Sequence, residues 1–157
     1  MHAKYTGLMN SIIASYHPSQ VRLTLPLFLG RVPAGFPSPA ADYIQKRLST
    51  DDLLIHDSTA TYFVRAQGDS MVDAGIFDGN VLVVDTSRTV QPGDIVVAYI
   101  DGGFTVKRLH KADTGFELHP ENAAAGYPII RPSEELRIYG VVVAHLHLHH
   151  KKPGLGL

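Results

Sequence analysis

The chain has 157 residues, 45% of them hydrophobic and 18% charged, which is enough apolar material for one packed core with an arm but not for two full domains. A net charge of −1 excludes a protein that grips nucleic acid through a basic field, and the absence of cysteine excludes a disulfide scaffold, a thiol nucleophile and a cysteine-based zinc site. The small share of charged residues hints at a self-association surface.

The first stretch, 1–37, is punctuated by Pro18, Pro26, Pro33 and Pro37, with Gly30 and Gly35 between them. It contains no targeting signal and nothing near the ~20 apolar residues that span a bilayer, so a cytoplasmic protein with no membrane contact is expected. Pro26 interrupts the apolar run Leu23–Leu29 and excludes a helix interior or a central strand there. The expectation is an extended arm whose Leu25, Leu27 and Phe28 dock against something.

Ser38-Pro39 then reads as an N-cap followed by the first helical residue, predicting a short amphipathic helix to about Leu48 with Tyr43, Ile44 and Leu48 facing the core. From about residue 52 the pattern turns strand-like. Apolar runs at 53–55, 62–66, 81–85, 95–100, 104–109, 116–119, 129–131 and 136–144 alternate with turns such as Asp78-Gly79-Asn80, Asp101-Gly102-Gly103 and Asp113-Thr114-Gly115. Short turns favour antiparallel hairpins, and no long crossover helix is available for parallel strands. The predicted fold is a mostly β, compact antiparallel body at 38–145, with the arm at 1–37 and a polar tail at 146–157. The end of the chain from His145 is rich in histidine (His145, His147, His149, His150), but no carboxylate or cysteine joins them, so a frayed polar end is expected and no metal is assigned.

Two residues stand out chemically. Ser70 follows a strand at a glycine-containing turn, Gln67-Gly68-Asp69-Ser70-Met71, where a hydroxyl and backbone N–H groups can be turned toward one point. Taken alone this is an ordinary turn. In Phe104–Leu109, alternation puts Lys107 with Thr105 and Leu109 on one face and Arg108 with Phe104 and Val106 on the other, so a sheet with one buried side draws one cation inward. A desolvated lysine loses its proton readily and can act as a general base; arginine cannot. Two solvated cations on a twisted edge would give the same local sequence. The nine histidines, His56 and His110 among them, show no Ser/His/Asp order and no Gly-x-Ser-x-Gly elbow.

Ala34–Tyr43, Ala60–Val64, Gly68-Asp69-Ser70-Met71, Gly93–Val96 and Phe104–Lys107, taken in order and spacing, resemble the UmuD-like members of the LexA-like, S24-type self-cleaving proteins. The resemblance runs from about Leu25 to Val143; residues 1–20 and the histidine-rich end fall outside it. It implies that Ser70 is a nucleophile, Lys107 its general base, Ala34–Gly35 the bond cut, and the backbone N–H groups of Asp69 and Ser70 the oxyanion donors, with no cofactor. It also implies a LexA-like β body with a mobile arm, a homodimer, stimulation of self-cleavage by a RecA–single-stranded DNA filament, and assembly of the shortened chain with a UmuC-like DNA polymerase in error-prone translesion synthesis. The other readings are a LexA- or phage-repressor-like regulator, which needs a DNA-binding domain that 34 proline-broken residues do not supply, a signal-peptidase-like enzyme, which expects a membrane anchor, and a β interaction subunit in which Ser70 and Lys107 are structural.

Overall fold

A computed structural model describes residues 12–15, 23–28, 34–35, 44–132 and 136–150. The predicted N-cap Ser38, Pro39 and Tyr43, and the tail from Lys151 onward, lie outside the described residues. The fold is mostly antiparallel β, as the turn chemistry requires. Nine strands are described: β1 (Ile12–Ser15), β2 (Leu25–Phe28), β3 (Ile44–Leu48), β4 (Thr61–Arg65), β5 (Val81–Asp85), β6 (Ile95–Ile100), β7 (Gly103–Ala112), β8 (Gly115–His119) and β9 (Arg137–Leu146). Seven form one sheet in the order β1-β4-β5-β9-β6-β7-β8, and β2 pairs with β3 in a separate two-stranded ribbon.

The order explains which runs are apolar throughout. β5 lies between β4 and β9, and all five of its residues are buried, so Val81-Leu82-Val83-Val84-Asp85 reads as a continuous run instead of an alternation. Because β9 pairs with both β5 and β6, the last strand closes the sheet across its middle. One core cluster gathers Ala66, Met71, Ile76, Leu82, Val84 and Val97; a second gathers Val96, Ala98, Leu109 and Leu118. The predicted strand at 129–131 is reduced to a single bridge between Leu118 and Ile130.

The expected helix to Leu48 is overturned. Ile44–Leu48 is a strand, held by pairing from Leu25↔Leu48 to Phe28↔Ile44 and by Arg47, whose Nε and Nη2 donate to Thr24 Oγ1 and O at 3.0 and 2.7 Å. Cross-strand pairing outweighs the local helix signal. The helix, α1 (Thr50–Leu54), starts two residues after the strand ends, capped by Ser49, whose hydroxyl accepts from Asp51 N at 3.3 Å, with Asp51 and Asp52 in the first turn. It also takes Leu53 and Leu54 out of the strand predicted at 53–55.

The docked-arm expectation also changes. Leu23, Leu25 and Leu27 are 71%, 55% and 39% exposed. A two-stranded ribbon offers Pro26 a permitted edge position but gives these leucines no second layer to pack on. At the other end, the histidine-rich segment begins inside the fold: His147 Nδ1 lies 2.9 Å from Asn80 Nδ2, and its ring meets Phe77 edge-on at 5.6 Å.

Candidate active site

Ser70 lies on the loop between β4 and a single 3-10 turn, Val72–Ala74. Gly68, two residues earlier, has φ +86°, a left-handed conformation that a side chain resists, and its N–H donates to Asp78 Oδ1 at 2.7 Å. The chain therefore leaves β4, reverses at Gly68 and presents Ser70 beside the sheet face. The Ser70 carbonyl accepts from Glu121 N at 2.8 Å.

Lys107 comes from the long strand β7, whose register sets Lys107 opposite Val96 of β6. Alternation sends Lys107 and Leu109 inward, with 7% and 1% exposure, while Arg108 turns to the other face. Arg108 is ion-paired through Nε and Nη2 to the Glu121 carboxylate, and its Nη1 donates to the Gly93 carbonyl at 2.6 Å. Of the two cations, the one that can lose a proton is thus the one that is buried. Burial alone pushes the Lys107 amine below the usual lysine range.

Lys107 Nζ is 2.7 Å from Ser70 Oγ, 3.1 Å from Thr105 Oγ1 and 2.9 Å from the Val106 carbonyl oxygen. These three partners suit both charge states. An ammonium donates to all three; a neutral amine donates to the two oxygens of β7 and turns its lone pair to the Ser70 hydroxyl. No carboxylate is among the partners, so nothing locks the amine in its charged form. The pair opens onto a cleft of about 850 Å³ whose apolar lining includes Val64, Val84 and Val97 and whose rim carries Phe104 and Tyr139, rings 5.1 Å apart. Among the described residues no histidine lines it. His110 is instead stacked on His119 at 3.9 Å.

The other expected site residues divide. Among the described residues, the backbone N–H groups of Asp69 and Ser70 have no acceptor. Ala34 and Gly35, by contrast, are exposed and do not line the cleft, and a Cβ built on Gly35 meets nothing within 4 Å. Sequence reasoning missed the loop that braces the serine. Asn122 Nδ2 donates to the Asp69 carbonyl at 2.9 Å, the Tyr127 hydroxyl donates to the Asp69 carboxylate, and Ala123 N donates to Asp73 Oδ2 at 2.7 Å. These contacts cross 50 to 58 positions of sequence, and no local pattern announces them.

A hydroxyl and a buried amine stand at hydrogen-bond distance in a cleft of a mostly β fold, a pairing through which a serine can be activated without histidine. The chain belongs to the Peptidase S24-like family, which matches residues 26–143. It is 50% identical to Protein SamA of Salmonella typhimurium over 127 residues, 81% of this chain and 88% of SamA. It is 44% identical to Protein ImpA of Shigella flexneri over 122 residues, 78% of this chain and 83% of ImpA. With the LexA repressor of an Acidovorax species it shares 39% identity over 128 residues, 80% of this chain and 55% of the repressor.

Proposed function

We propose that this chain is a UmuD-like protein that cuts itself once, between Ala34 and Gly35, with Ser70 as nucleophile and Lys107 as general base. The observation that carries the reading is the 2.7 Å separation of Ser70 Oγ from a lysine amine that is 7% exposed. In this mechanism neutral Lys107 takes the Ser70 hydroxyl proton as Oγ attacks the Ala34 carbonyl carbon. The N–H groups of Asp69 and Ser70 receive the developing oxyanion. Lys107 then returns the proton to the Gly35 nitrogen as the C–N bond breaks, and water, activated by the same amine, hydrolyses the Ala34–Ser70 ester. Whenever Lys107 has taken up a proton, the ammonium still has Thr105 and Val106 as acceptors.

The exposed Ala34–Gly35 bond must travel into the cleft before this chemistry starts, so cutting depends on how often the arm docks. A RecA–single-stranded DNA filament that favours the docked arm would accelerate cutting without adding a catalytic group. The shortened chain, a homodimer in the cytoplasm, would then serve a UmuC-like polymerase in the mutagenic arm of the DNA-damage response. The similarity to SamA and ImpA over most of their length supports this reading over that of a repressor.

Incubation of the purified chain at alkaline pH is expected to yield a fragment beginning at Gly35 without added protease, identified by mass and N-terminal sequencing. Ser70→Ala and Lys107→Ala should each leave the chain whole. Cutting by either variant at the parent rate would sink the assignment.

A further inference from the structure

The Ser70 loop is a short irregular link, and no ladder of strand hydrogen bonds holds residues 68–70. Something else must hold the peptide between Asp69 and Ser70, because the direction of its N–H decides whether an oxyanion is met. A trans peptide is planar, with its C=O and N–H pointing in opposite directions. Whatever grips the Asp69 carbonyl therefore aims the Ser70 N–H the other way.

Two donors grip that carbonyl: Val72 N at 3.3 Å, and the Asn122 side chain at the shorter distance. Asn122 Nδ2 donates to Asp69 O at 2.9 Å, and its own Oδ1 accepts from Ala125 N at 3.2 Å, so both ends of the amide are engaged and its rotation is fixed. The side chain is buried, with 9% exposure, where an amide is retained only if it is hydrogen-bonded. The Ser70 N–H, on the opposite edge of the same peptide, has no acceptor among the described residues. We infer that Asn122 is a positioning residue: it aims the Ser70 backbone N–H at the oxygen of the bond being cut. The inference rests on the self-cleavage reading and extends it to a residue outside the Ser–Lys pair.

Bracing of the two loops against each other is a separate matter. Asp73 N donates to the Glu121 carbonyl at 2.8 Å, Glu121 N to the Ser70 carbonyl at 2.8 Å, and Ala123 N to Asp73 Oδ2 at 2.7 Å. Those bonds remain when the Asn122 donor is removed, and the Asp69 carbonyl keeps only the longer bond from Val72 N, so a variant there loosens one peptide plane while the loops stay joined.

Two substitutions in the full chain test this. Asn122→Asp keeps the size and the acceptor for Ala125 N but loses the donor; Asn122→Leu loses the donor without adding charge. Self-cleavage rates are followed across alkaline pH. Both variants should show a plateau rate at least about 10-fold lower, a fraction of the loss seen when an oxyanion donor is deleted outright. Asn122→Leu should keep the parent's pH midpoint, because it leaves Lys107 untouched and adds no charge. A parent-level plateau in folded variants, or an unchanged plateau with a displaced midpoint, overturns the inference. The second readout does not require cutting. In full chain made inert by Lys107→Ala, the scalar coupling across the hydrogen bond from Asn122 Nδ2 to the Asp69 carbonyl carbon should be measurable by NMR, and Asn122→Asp should abolish it and shift the Ser70 amide resonance. Absence of that coupling overturns the positioning role even if the parent cuts. Failure of the parent to cut while the coupling is present refutes the self-cleavage reading and leaves the anchored peptide plane standing.

Discussion

Lys107 shows what a buried base costs the fold. Burial lowers its proton affinity below the usual lysine range, and no acidic partner restores it. The unfolded chain, with an ordinary lysine, therefore binds more protons than the folded one at pH values between the lowered and the ordinary lysine values. In that window stability rises with pH; below it the full desolvation penalty is present. Lys107→Met, which keeps length and removes the charge, should be more stable than the parent at neutral pH by on the order of 1 kcal/mol, while abolishing self-cleavage. Its advantage should shrink as pH climbs through the window. Urea unfolding of the two chains from neutral to alkaline pH, with the parent held uncut by Ser70→Ala, measures both effects. A less stable Lys107→Met at neutral pH would mean that the two hydrogen bonds left to the amine, to Thr105 and Val106, outweigh its burial. The same proton balance predicts that self-cleavage accelerates with pH and levels off below the ordinary lysine value, since only the neutral amine accepts the serine proton.

At the scale of elements, the packing of β9 on β5 leaves no room for error at Gly140. A Cβ added there would lie 2.7 Å from Val84 Cγ1 and 3.0 Å from the Asp85 carbonyl oxygen. The valine can turn, but the backbone oxygen cannot without moving β5. Gly140→Ala should therefore destabilise by about 1–3 kcal/mol, as overpacking does. Thermal unfolding of the Ser70→Ala chain with and without the substitution checks this, and an unchanged midpoint would mean that β9 slides freely. The close approach belongs to the pairing of sequentially distant strands, and for that reason the sequence alone is silent on it. What was legible follows the same division. Strands at 81–85 and 95–100 were readable because dense apolar runs sit between strong turns, and β7 because alternation persists through it. β3 looks like helix in the sequence because Ser38-Pro39 is a good local start, whereas the strand depends on partners 16 to 23 residues upstream. Likewise Lys107 and Thr105 could be placed on one face from alternation, but Asn122 and Tyr127 reach the site only through tertiary contact.

At the scale of the whole molecule, the Ser70–Lys107 pair lies apart from the bond proposed to be cut. Ser70 and Lys107 sit preassembled in the cleft, while the bond proposed to be cut stands exposed outside it. Two placements of the arm must then be distinguished, one at rest and one docked, and Gly35 tells them apart. At rest a side chain at 35 meets nothing within 4 Å, so Gly35→Glu should change stability by no more than about 0.5 kcal/mol. In the docked placement the same side chain has to enter beside Ser70, where it adds bulk and a carboxylate next to Lys107. That charge would hold the amine protonated and so oppose the base role as well as the fit. The expected result is a thermal midpoint equal to the parent's and a self-cleavage rate lower by more than about tenfold, read on gels across alkaline pH. Raising the pH further should recover part of the rate if the carboxylate acts on the lysine, and none of it if bulk alone excludes the arm. Cutting between 34 and 35 at the parent rate would show that the arm does not enter the cleft with Gly35 against Ser70, and the proposed bond would have to be abandoned while the Ser–Lys geometry stands.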